Sequence, residues 1–332
     1  MKSFNDTLTA ISGLWVGHDQ VPQRPTGCTV VLCPQGAVAG VDVRGAAPGT
    51  RETDLLSPGN MVQQVHGIAL CGGSAFGLEA ASGVMRWLED KGHGLSVGPV
   101  KIPIVPAAVI FDLWVGDARI RPDAMSGYRA CEAASDAPVV QGNAGAGAGA
   151  TVGKVFGPQR AMKGGVGSAA IQVGDVIVAA LVVCNALGDV VDPRSGRLIA
   201  GARQDADSLK LINIVEAQMR GETARSLSVG SNTTIGVVAT NASLNKAQAQ
   251  RLAQLGHDGL AHSIRPVHTP LDGDTLFGLA TGEIPGPPDM MLLSTLSAEA
   301  TARATVRAVQ HAQSLRIGSD WWPAASALAQ PG

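Results

Sequence analysis

The chain has 332 residues, with 25 Lys+Arg against 27 Asp+Glu for a formal net charge of −2; 45% of residues are hydrophobic and 16% charged. That balance excludes a disordered polymer, and the lack of a basic run argues against nucleic acid or an anionic membrane as main partner. Glycine is abundant at 42 residues, about twice the usual share, so the core is expected to use small side chains and closely approached backbones.

In chain order, strands are expected at residues 28–33 and 38–43. A third, over 66–71, runs into a helix beginning near Ser74, where Leu78, Ala81, Met85 and Leu88 make a one-sided apolar stripe. Residues 103–112 read as extended and 123–134 as helical. The Gly/Ala tract 142–153 must be a tight loop or a close backbone crossing. Strands at 168–173 and 176–185 flank Gly174-Asp175, a hairpin turn. A helix over 207–220 leads to Gly230-Ser231-Asn232-Thr233-Thr234, followed by a strand (235–240), a helix (244–262), a strand (275–280) and a long Ala-rich helix (290–313). These elements predict an α/β protein of stacked sheets flanked by helices, and the length fits two domains or one large one equally well.

Cys28, Cys33, Cys71, Cys131 and Cys184 form no C-x-x-C pair, which fits free thiols in a reducing compartment. No signal-peptide-like run follows the N-terminus, and the longest apolar stretch, 176–184, is too short to cross a bilayer. A cytoplasmic location is expected.

Several familiar motifs fail. A phosphate loop ending at Gly153-Lys154 would need Gly at Ala148 and a hydroxyl at Val155, and the glycines of the tract do not form G-x-G-x-x-G. Gly72-Gly73-Ser74-Ala75-Phe76 has Phe where a nucleophile elbow needs Gly. His257, His262 and His268 show no ligand spacing and read as surface or packing residues. Asp272-Gly273-Asp274 is too short for a calcium loop. No metal and no organic cofactor are expected.

One ordered series does hold together. It comprises Pro25–Val30, Gly72–Ala80, Ala108-Val109-Ile110-Phe111-Asp112, Gly153-Lys154-Val155, Val182-Val183-Cys184-Asn185, the Asn232–Thr233 junction running into an apolar strand, and Asp272-Gly273-Asp274-Thr275. The series resembles the DmpA-type N-terminal-nucleophile hydrolases, which include L-aminopeptidase/D-amidases, β-peptidyl aminopeptidases and the nylon-oligomer endo-hydrolase. The resemblance implies a layered αββα sandwich, of the type shared with the ornithine acetyltransferases, in a single self-processing domain over 1–332, and homo-oligomers, with a tetramer favoured. It also implies autocatalytic cleavage at Asn232–Thr233 into chains 1–232 and 233–332. A hydroxyl is a poor nucleophile near neutral pH, and the freed α-amine of Thr233 supplies a base on the same residue.

By the same resemblance, Asn185 steadies the nucleophile and the oxyanion, and Lys154 holds the α-amine neutral. Asp272 and Asp274, which can point to one side at i, i+2, orient Thr233 or bind a substrate ammonium. Phe111 stands at a substrate-binding position where the family carries a tyrosine, and the two Asp replace the Ser and Glu of the aminopeptidase branch. The implied reaction is hydrolysis of amide bonds in small peptides or linear amide oligomers. Acyl transfer of the ornithine acetyltransferase type is the alternative, but its Lys-Gly-Thr-like junction is absent before Thr233. A non-catalytic, unprocessed oligomer is the other.

Overall fold

The computed structural model describes residues 4–222 and 232–329; Gly230 and Ser231 of the junction motif lie outside the described residues. Among these the main sheet has nine strands. They are β1 (Trp15–Gln20), β2 (Gly27–Val43), β3 (Gln64–Cys71), β4 (Ala107–Val109), β5 (Gly165–Val173), β6 (Val176–Asn185), β7 (Thr233–Ala242) and β8 (Thr275–Ile284), with the two-residue strand Thr50–Arg51 at one edge. The order is β5-β6-β7-β8-β2-β3-β4 and then Thr50–Arg51, with β1 paired alongside β2. β7–β8 and β3–β4 pair parallel; the other neighbours pair antiparallel.

The two strands expected at 28–33 and 38–43 are one strand, β2. Its first half pairs with β1 and β3, its second half with β8, and the β2–β3 register shifts between Leu32 and Ala37. Pro34 has no N–H to give the ladder, and Gly36 takes a φ of 89°. The chain therefore bends through an irregularity instead of stopping.

This bend lets the sheet make two layers. Val31, Ile68 and Leu70 from one part share a core with Leu181, Val183, Ile235 and Val237 from the other. The opposite faces carry helices. α1 (Ala80–Asp90) and α2 (Ala124–Glu132) bury Val84, Leu88 and Ala130 against Val30, Leu32 and Ala69. α3 (Lys246–Ser263) and α4 (Met290–Gln310) bury Leu252, Leu260, Ala300 and Ala304 against Val178, Val182, Val238 and Leu276. The result is the expected layered α-β-β-α architecture.

Local chemistry sets the helix starts. The side chains of Asp123, Asn245 and Asp289 each accept a backbone N–H in the first turn, and Asn245 completes a capping box with Gln248. The Ala-rich α4 lies so close to β5 that a Cβ on Gly167 would overlap the Ala304 carbonyl. Closely approached backbones thus form this layer, as the composition predicted.

Two further expectations change. The helix read over 207–220 is only Ile214–Met219, because Lys210 and Ile212 exchange backbone hydrogen bonds with Gln204 and Ala202. Of the extended run 103–112, only Ala107–Val109 is strand. The Gly174-Asp175 hairpin is present, joining β5 to β6 through Val173 opposite Val176. Among the described residues no helix is long and apolar enough to cross a membrane.

Candidate active site

The structure brings six of the seven singled-out residues to one end of β6, β7 and β8, and the seventh, Phe111, touches them through its backbone. Antiparallel pairing sets Asn185, the last residue of β6, directly opposite Thr233, the first of β7. Parallel pairing of β7 with β8 is prolonged by a bridge between Asn232 and Asp272. The Asn232–Thr233 peptide thus lies between Asn185 on one side and the Asp272–Asp274 segment on the other. Thr233 is 3% exposed.

The scissile-bond candidate is held tightly. The Thr233 hydroxyl donates to the carbonyl oxygen of Asn232, and the Gly273 N–H donates to the same oxygen at 2.9 Å. Gly273 must be glycine for this approach. A Cβ there would sit 2.5 Å from the Ala47 carbonyl oxygen and 3.0 Å from the Thr233 Oγ1. The neighbouring carbonyls of Asp272 and Asp274 turn the other way, accepting the N–H groups of Ala47 and of Arg44 and Gly45.

The acidic pair divides its contacts. Asp272 Oδ2 accepts the Thr269 N–H at 2.9 Å and the Thr269 hydroxyl at 2.6 Å. Asp274 Oδ1 accepts the Thr234 N–H at 2.7 Å, and its Oδ2 faces His268. Burial first, and then the adjacent Asp274 charge, push the Asp272 carboxyl up to about 6, opposed by Thr269 and Lys154.

Lys154 follows Gly153, which takes a φ of 76°. The lysine is fully buried, and its Nζ donates to the backbone carbonyl and side-chain Oδ1 of Asn185, both at 2.9 Å. Burial pushes this amine down to about 7, while Asp272 leads the charges that pull it back up. Asn185 Oδ1 also accepts the Thr151 N–H at 3.0 Å, and its Nδ2 donates to the Phe111 carbonyl at 3.1 Å. The Asn185 amide therefore orients Lys154 and keeps one N–H on Phe111. The Phe111 ring is half-buried and meets Trp114 edge-on, with centroids 5.0 Å apart. Trp114 forms one wall of a cleft of about 280 Å³ lined also by Trp321, Arg316 and Gln159.

Residues to which the sequence assigns no role support these groups. Asp112, next to Phe111, is buried with Arg24 at 2.8 Å and accepts the Thr26 hydroxyl at 2.6 Å and the Gly73 N–H at 2.9 Å. It thereby ties the Gly72-Gly73 turn to the segment carrying Phe111. His268 reaches Asp274 from a loop whose spacing carries no recognised motif. Among the described residues no three His, Cys, Asp or Glu side chains gather in a metal-binding cluster.

This arrangement places a hydroxyl against a buried carbonyl that a backbone N–H already polarises, with one amine and two carboxyls close by. Residues 6–319 match peptidase family S58. An uncharacterised aminopeptidase of Mycobacterium tuberculosis is 46% identical over 309 residues, covering 89% of this chain and 87% of its own length. A 6-aminohexanoate-oligomer endohydrolase of Paenarthrobacter ureafaciens is 34% identical over 274 residues, covering 82% of this chain and 74% of its own. The L-aminopeptidase D-Ala-esterase/amidase of Ochrobactrum anthropi, described as a variant of the Ntn hydrolase fold, superposes with a TM-score of 0.72 at 19% identity, over 96% of this chain and 91% of its own.

Proposed function

The chain belongs to peptidase family S58 and is a hydrolase of peptide or amide bonds; from that premise we propose that Thr233 is its nucleophile, freed by self-cleavage after Asn232. The observation that carries this reading is the shared carbonyl of Asn232, on which the Thr233 hydroxyl and the Gly273 N–H converge. Attack of Oγ1 on that carbonyl carbon forms a C–O bond, the C–N bond breaks, and the hydroxyl proton passes to the Thr233 nitrogen, so the acyl group moves from nitrogen to oxygen. The carbonyl oxygen becomes an oxyanion facing the Gly273 N–H, the kind of preorganised donor that stabilises such charge. Water then hydrolyses the ester, leaving a carboxylate on Asn232 and an α-amine on Thr233.

In the cleaved enzyme the α-amine takes the hydroxyl proton as Oγ1 attacks a substrate amide, and the leaving amine departs with a proton. The acyl ester is hydrolysed by a second water. Lys154, whose amine burial lowers to about 7, disfavours protonation of the α-amine and, in its charged form, stabilises negative charge that develops in the site. Substrates are small peptides or linear amide oligomers, the second class resting on the endohydrolase relative. The protein acts as a homo-oligomer, a tetramer by its family likeness, which light scattering of the purified chain checks. Its five cysteines are all buried free thiols, in keeping with a reducing, cytoplasmic setting.

The test is a pair of variants. Thr233→Ser still cuts itself and gives two bands on a denaturing gel, whereas Thr233→Ala remains one band. A protease-free Thr233→Ala preparation that cuts at the same bond contradicts the assignment.

A further inference from the structure

Asp274 is gripped by a residue that the sequence motif does not include. Its Oδ2 accepts two donors from His268, the backbone N–H at 3.1 Å and the ring Nδ1 at 2.8 Å. Both donors reach one oxygen because His268 takes a φ of 56°, the left-handed region that non-glycine residues adopt sparingly. The other oxygen of the carboxylate, Oδ1, holds the Thr234 N–H. One carboxylate therefore ties the His268 loop to the peptide just after the nucleophile. An ionised carboxylate only accepts, so the ring carries its hydrogen on Nδ1.

The ring's far side has no competing task. Its Nε2 is buried without a hydrogen-bond partner among the described residues, and the ring packs edge-on to His257, with centroids 4.8 Å apart. His257 keeps its own Nε2 3.0 Å from the Asp42 carbonyl oxygen. Burial pushes it down to about 4, so it is neutral at pH 7 and brings no cation to Asp274.

We infer that His268 is a positioning residue which, through Asp274, fixes the Thr234 N–H and with it the new amino terminus at Thr233. The inference rests on Thr233 being the nucleophile. Before cleavage, peptide bonds hold Thr233 on both sides. After cleavage the tether from Asn232 is gone, and the Thr234–Asp274 contact, with the rung of Thr233 against Asn185, holds the strand beside the free amine. Loosening Asp274 therefore spares self-cleavage and slows turnover, since small misplacements of a reacting group are costly. A purely structural residue would impair both.

The experiment uses the full chain carrying His268→Ala or His268→Asn. Asparagine tolerates positive φ and offers an amide N–H near the place of Nδ1. Self-cleavage is followed on gels. The kcat and KM values are measured on a linear 6-aminohexanoate oligomer or an aminoacyl p-nitroanilide, whichever the wild type hydrolyses, and melting temperature is recorded alongside. The expected result is complete self-cleavage in both variants. For His268→Ala, kcat falls by about 10-fold with KM within about twofold; for His268→Asn, kcat returns to within about threefold of wild type. Unchanged kcat in His268→Ala overturns the inference, and so does an equal loss of processing, turnover and melting temperature in both variants. A wild-type chain that never cuts itself overturns instead the reading of Thr233 beneath it.

Discussion

Lys154 and Lys163 are both fully buried, and burial pushes both amines down to about 7. Their surroundings differ. Lys163 donates to the carbonyls of Gly147, Ala150 and Gly164 at 2.8, 2.9 and 3.1 Å, closing the Gly/Ala tract around itself. Lys154 reaches Asn185 on the rung of Thr233 and feels the charges of Asp272 and Asp274. Burial and lowered basicity alone do not mark a catalytic group, and the two amines differ in what they face.

The sharpest way to break this contrast is to replace each lysine by methionine, which keeps length and removes charge. Lys154→Met is expected to lower turnover by about 10²–10³-fold, the scale of losing one preorganised electrostatic group. Lys163→Met is expected to lower stability by about 2 kcal/mol, since three buried carbonyls lose their donor, with activity per folded molecule little changed. Steady-state rates normalised to folded protein, set beside urea unfolding, separate the two. Equal catalytic losses in both would erase the distinction.

Asn185→Ala comes next. It strips Lys154 of a side-chain acceptor and the site of an amide donor, so turnover should drop by about 10²-fold with folding retained. Rates on any amide that the wild type cleaves, with a circular-dichroism melt as control, decide it; an unchanged rate would remove Asn185 from the site.

A smaller effect is expected at Gly273. The added Cβ of Gly273→Ala would crowd Ala47 and Thr233 and shift the N–H aimed at the Asn232 carbonyl. Self-cleavage should slow by roughly 10-fold, read from the gel time course of freshly synthesised chain. Cleavage at the wild-type rate would show that the N–H is only a ladder bond.

The two lysines mark where sequence reasoning reaches and where it stops. The ordered series of motifs singles out Lys154, Asn185, Thr233 and the acidic pair, but no spacing places Asn185 opposite Thr233; only strand pairing does. Lys163 carried no signal, because its partners are backbone carbonyls of a loop that no periodicity describes. His268 was read as surface or packing, since its role depends on a positive φ and on a carboxylate six residues later. Of the fold, the Gly174-Asp175 hairpin and the helices near 123–134, 244–262 and 290–313 are plain in the sequence. The bend of β2 was not: Pro34 and Gly36 look like a break until the second half finds β8 as a partner.

The least pronounced prediction concerns pH. An amine lowered to about 7 on folding, from an ordinary 10.5, leaves the unfolded chain binding more protons above pH 7. Stability therefore rises with pH there. The buried thiols of Cys33 and Cys184, pushed up from 9.0 to about 12, act in the opposite sense above pH 9. Urea midpoints should thus climb between pH 7 and 9, and Lys163→Met should flatten that climb. A wild-type profile flat across this window would contradict the lowering of these two amines by burial.

The central claim is that Asn232–Thr233 is a bond the protein cuts in itself to expose a nucleophile. Intact-mass spectrometry of the purified wild-type chain, with terminal sequencing of the smaller fragment, tests it most directly. The account predicts two species, one ending at Asn232 and one beginning with Thr233. A catalytically active protein that remains a single uncut chain, or one cut at another bond, would contradict it.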